Sequence, residues 1–82
     1  MTIELRSVRV DTGGPDEDGF LVFAADRLVA VLVRLSDQHK ETAGQWFLEH
    51  GFGRLDKPNL PVFVDLHAAQ CWIEENLFGH KN

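Results

Sequence analysis

The sequence predicts an α+β domain: a four-stranded antiparallel sheet, in the order β-β-β-β-α, with one C-terminal helix packed on one face. Three observations carry this. Between Ile3 and Phe52 the apolar residues are mostly β-branched or aromatic and are punctuated by glycine and acidic turn residues, which is strand chemistry. From Leu66 to Leu77 the apolar residues recur at helical spacing behind a capping aspartate. With 82 residues the chain has room for one core only, so residues 1–82 are read as a single domain.

Ile3 to Val10 alternates, but Ile3 and Leu5 share one phase and Val8 and Val10 the other, so a bulge is expected near Arg6-Ser7. Asp11 to Gly19 is too polar to bury and rich in glycine, a mobile loop between the first two strands. Phe20 to Leu35 reads as a hairpin turning at Ala25-Asp26-Arg27. Ser36 to Gly44 is polar, with Ser36 as a candidate N-cap and Gly44 as a stop, and fits a loop or a single helical turn. The fourth strand is expected over Gln45 to Phe52, ended by Gly51 and Gly53. Leu55 to Pro61 holds two prolines, which lack an amide donor, and reads as a crossover. In the helix, Asp65 is the expected N-cap and Gly79 the terminator, with His80 and Lys81 near the negative end of the dipole. Leu66, Ala69, Ile73 and Leu77 form its apolar stripe, flanked by Trp72.

Hydrophobic residues make up 44% of the chain and charged residues 26%, which excludes disordered, collagen-like and coiled-coil classes. Thirteen acidic and eight basic side chains leave a net charge of −5, which repels phosphate backbones, so nucleic acid is not the expected partner. Cys71 is the only cysteine; it allows no internal disulfide and no zinc ribbon, and fits a reducing compartment. The N-terminus alternates instead of running basic and then apolar, and no apolar run approaches the roughly 20 residues of a membrane span. A cytoplasmic protein with no membrane partner is expected.

The middle strands are apolar on both faces. Val29, Val31, Val33 and Leu35 lie on one side of the third strand, with Leu28, Ala30 and Leu32 on the other, and the second strand behaves likewise. One helix can cover only one side. A second copy is the expected cover for the other, giving a two-fold homodimer through that face or through a strand edge. If the branched valines take the helix, then Leu28, Ala30, Leu32 and Arg34 face the partner, with Trp46 and His50 as further interface candidates. An unidentified protein, a small molecule or the two long loops are the alternative covers.

The side chains that invite a catalytic reading do not converge. Glu49 and His50 are adjacent, so in a regular strand they point apart: Trp46, Leu48, His50 and Phe52 to one side, Phe47 and Glu49 to the other. A general acid/base pair needs both groups within reach of one substrate. His67, Cys71 and Glu74 share a helix flank at a spacing that suits a metal or a thiol nucleophile, but the flank faces away from the apolar stripe and lacks a pocket. Asp16, Glu17, Asp18 and Gly19 are acidic without the ligand series of a calcium loop, and no glycine-rich phosphate loop is present. No cofactor and no catalytic residue is assigned. The sequence reads as a small non-catalytic binding or interaction module.

Two resemblances bear on this reading. In element order, four strands and then a helix, the chain is similar to whirly-type single-stranded-DNA-binding coactivator domains and in part to the arm-binding domains of phage integrases. Such a likeness implies a stacking platform of Arg34 with the aromatic residues of the second and fourth strands. The run WFLEHGFGRL, followed by LPVFVDLHAAQCWIEENL, resembles small uncharacterised proteobacterial proteins over Leu28 to Leu77. That likeness implies a bacterial source and the same layout, and brings no activity with it.

Overall fold

The computed structural model of the chain describes residues 3–14 and 17–79. Its sheet is an antiparallel meander of five strands: β1 (Ile3–Arg9), β2 (Asp18–Ala24), β3 (Arg27–Arg34), β4 (Trp46–Gly51) and β5 (Val62–Phe63), each beside its neighbour in the chain. One helix, α1 (Leu66–Phe78), follows. The α+β class and the C-terminal helix are as expected, and the fifth strand is an addition. It has no sequence signature because it is two residues long and directly follows Pro61, whose carbonyl accepts a hydrogen bond from the Leu48 amide at 3.1 Å. At a sheet edge a proline's missing donor costs nothing. The segment Ser36 to Gly44 is a short 3-10 helix, Asp37–Thr42, broken at Lys40, and Gly44 follows it at φ 83°.

The bulges fall elsewhere than expected. β1 pairs with β2 without interruption from Ile3 opposite Ala24 to Arg9 opposite Asp18, so Arg6-Ser7 carries no bulge. Val8 instead sits opposite Gly19, on the side of the sheet away from Ile3 and Leu5. Register shifts occur at Val29, the extra residue between β2 and β3, and at Glu49, the extra residue between β3 and β4. Each adds local twist.

The core lies between the sheet and α1. Val22, Ala30, Leu32 and Leu48 from the strands meet Leu55, Phe63, Ala69 and Ile73 in one buried cluster. This corrects the expected phase of the third strand, because Ala30 and Leu32 are fully buried beneath the helix and cannot face a partner. The pairing explains it: Leu32 stands between Phe20 and Leu48, while Ala30 stands between Val22 and Gly51, leaving a shallow place that Leu55 fills from the 3-10 turn Gly53–Leu55.

The start of α1 is capped as its sequence requires. Asp65 accepts a hydrogen bond from the Ala68 amide at 2.8 Å. Its end is set by Gly79, at φ 81°, whose amide donates to the Glu75 carbonyl. The cation at this end comes from the 3-10 turn, where Arg54 donates to the Leu77 carbonyl at 3.0 Å. His80 and Lys81, expected in that role, lie outside the described residues. Ala69 and Ile73 are fully buried, Leu66 and Leu77 only half-buried against the core, and Trp72 packs at 5.7 Å from the Phe63 ring. Truncating Ile73→Ala should therefore cost about 2–4 kcal/mol through the cavity it leaves. A urea midpoint matching the parent chain would contradict this packing. No helix among the described residues is long and apolar enough to cross a membrane.

Candidate functional site

The side of the sheet away from α1 carries Glu4, Arg6, Leu21, Phe23, Val31, Val33, Phe47 and Val62, by their pairing across the strands. It is not bare. Val33 and Leu35 are buried, and Thr12, Gly14 and Thr42 line a cleft of about 460 Å³ with Leu35, Phe47, Glu49 and Val62. The loops thus shade one end of this side, while Leu21, Phe23, Val31 and Phe47 stay half-exposed.

The bulge at Glu49 overturns the expectation that Glu49 and His50 point apart. Leu48 pairs with Leu32 on the helix side, but His50 pairs with Val31 on the opposite side, so His50 leaves the face of Trp46 and Leu48. An extra residue in the strand reverses the alternation beyond it. Glu49 and His50 therefore share the open side, yet no hydrogen bond joins them. Both are exposed; Glu49 lines the cleft, and the His50 ring stands edge-on to Phe52 at 4.4 Å.

The other expected interface residues scatter. Arg34 is exposed opposite Trp46, on the helix side of the sheet, and Trp46 packs against the core with its ring 5.4 Å from Phe20. Leu28 is exposed beside the end of α1, in a groove of about 360 Å³ shared with Phe52, Arg54, Leu77 and Phe78. With Ala30 and Leu32 in the core, the six residues do not share one surface: Arg34 and Trp46 stand on the helix side and His50 on the open side. On the helix flank, His67 Nε2 and Cys71 Sγ are 3.6 Å apart and exposed, and Glu74 lines a shallow depression with Cys71 and Phe78. Among the described residues no three of His, Cys, Asp and Glu are placed to hold a metal ion.

The least protected element is the free edge of the sheet. β1 is seven residues long, contains neither proline nor glycine, and keeps register throughout, whereas the opposite edge, β5, is two residues beside Pro61. Open edges of this length are sites of strand addition unless they are blunted. On the open side, Arg6 Nε donates to Glu4 at 2.9 Å, and its guanidinium lies 4.7 Å from the centre of the Phe23 ring. On the helix side, Ile3 and Leu5 are half-buried against the core. At the far end Arg9 donates to Glu17 and lies 3.8 Å from Asp18; that hydrogen bond and the two carboxylate charges raise its pKa above the ordinary value. The sequence held the signal for this site, a glutamate and an arginine on either side of Leu5, but reading β1 as bulged obscured it.

No protein-family model, no curated protein and no solved structure matches the chain.

Proposed function

We propose that this chain is a small non-catalytic interaction module that works as a two-fold homodimer assembled through the free edge of β1. The observation that carries the reading is the length and regularity of that edge, which leaves the outward backbone groups of a seven-residue strand without a neighbouring strand. The half-buried Ile3 and Leu5 beside it add apolar surface to be covered. The non-catalytic part is supported by exposure: Glu49 and His50 on the sheet and His67 and Cys71 on the helix flank are all exposed, and among the described residues no enclosed pocket holds either pair. The two-fold symmetric form is the commonest closed arrangement for a single chain. Sedimentation equilibrium should give twice the chain's mass of 9.3 kDa at micromolar concentration. A monomer mass persisting to roughly several hundred micromolar, where only non-specific affinities remain, would reject the dimer.

A further inference from the structure

The edge of β1 carries a pattern that selects one way of pairing with itself. In an antiparallel pair related by a two-fold axis normal to the sheet, residues directly opposite must share a face, so the axis passes beside one residue, which meets its own copy. Faces alternate without interruption along β1: Ile3, Leu5 and Ser7 lie on the helix side, Glu4, Arg6 and Val8 on the open side. An axis at Glu4 sets two glutamates together, and an axis at Arg6 sets two arginines together. An axis at Ser7 brings Arg9 onto Leu5. Only an axis at Leu5 places both Glu4-Arg6 combinations opposite each other with no like-charge pair.

We propose that a second copy of the chain pairs antiparallel along β1 about an axis at Leu5, so that Glu4 of each copy faces Arg6 of the other. The proposal rests on the dimer reading above and names its surface and register. Ile3 then stands opposite Ser7, and Leu5 opposite Leu5, on the helix side. Both helices lie on the same side of one continuous sheet, and the half-buried Ile3 and Leu5 of each copy are joined across the axis. Arg6 now leans over Phe23 of β2 and donates to Glu4 of its own strand, so its exposed guanidinium swings outward across the edge to serve this pairing. The ion pair now within one strand becomes a square of four alternating charges across two. Cross-strand pairs of opposite charge stabilise such ladders and like pairs oppose them, so the same two residues favour this register and disfavour the neighbouring ones.

Charge reversal tests the register on the full chain. Glu4→Arg should raise the dimer dissociation constant by at least about tenfold, because both opposite-charge pairs become like-charge pairs, and Arg6→Glu should do the same. The double variant Glu4→Arg/Arg6→Glu should recover most of the parent affinity. Sedimentation gives the constants, and far-UV circular dichroism with melting confirms that each variant stays folded, which matters for Arg6 because of its contact with Phe23. Weakened single variants and a restored double variant support the proposal. A parent dimer that all three variants leave unchanged overturns the register while keeping the dimer. A folded double variant no tighter than the single ones also overturns it. A monomeric parent chain removes the reading beneath it.

Discussion

Leu32→Glu is expected to abolish cooperative unfolding at neutral pH, leaving a chain with weak, non-sigmoidal thermal and urea transitions. From sequence alone the same substitution would be chosen as an interface variant, because Leu32 was expected to face a partner. The structure moves it to the centre of the core. Leu32 is fully buried between Phe20 and Leu48 in the sheet and belongs to the cluster that includes Ala69 and Ile73 of α1. Losing a buried leucine costs about 2–5 kcal/mol, and desolvating a carboxylate adds several kcal/mol more unless the group stays protonated. The stability of a small domain is of the order of 5 kcal/mol, so the two together are enough to unfold it. Linkage gives the pH dependence. A carboxyl buried here would have its folded-state pKa raised above the ordinary value of about 4.3. The penalty is then largest above that raised pKa, shrinks as pH falls from it to the unfolded value, and is gone below the unfolded value, where the group is neutral in both states. Partial recovery of structure near pH 3.5 relative to pH 7 should be visible by circular dichroism, with the parent chain as the acid control. A variant that unfolds as cooperatively as the parent, at the same midpoint, would mean that Leu32 is not in the core.

The same residue shows how far the sequence could be read. Period-two alternation identified Ala30 and Leu32 as one face of the third strand, correctly, but periodicity cannot say which of two apolar faces takes the helix. That choice is made by volume. The place between Val22 and Gly51 at Ala30 is shallow enough for Leu55, and Leu55 arrives only because Gly53–Leu55 forms a tight turn, where the sequence suggested a strand end at Gly53 and a crossover beginning at Leu55. The helix was legible because its signals are local: Asp65 and Gly79 cap it, and Ala69 and Ile73 mark its buried side. Bulges were the weakest part of the reading. A phase change in the apolar pattern suggested one in β1, where Val8 is simply carried on the open side opposite Gly19. The actual bulge at Glu49 leaves no trace in composition, yet it moves His50 across the sheet and frees the pair Glu49-His50 from the rule that adjacent residues point apart. The edge of β1 was legible as a strand, and its self-complementary charges became apparent only once the register with β2 was known to be unbroken.

Gly51→Ala should destabilise the fold by about 1–3 kcal/mol or more, the range for overpacking a closed core, although alanine is the smallest possible addition. Gly51 ends β4 opposite Ala30 and faces the core. A methyl group there would collide with the Leu55 carbonyl oxygen, and would stand 2.7 Å from the Leu55 carbonyl carbon and 2.8 Å from its Cβ. These are mostly backbone atoms, fixed by the turn in which the Leu55 amide donates to Phe52 and the Asp56 amide to Gly53. They cannot swing aside as a flexible side chain would. Relief requires moving the turn, which withdraws Leu55 from the cluster and pulls at Arg54, the residue that caps the end of α1 through the Leu77 carbonyl. The loss should therefore exceed a local clash, with amide exchange rising at Leu77 to Gly79 as well as at Leu55. Gly14→Ala is the control, since its added carbon would meet nothing nearer than the Thr12 hydroxyl at 3.9 Å; surface changes of this kind stay within about 0.5 kcal/mol. Equal urea midpoints for the two variants would show that β4 and the Gly53–Leu55 turn do not approach as closely as described.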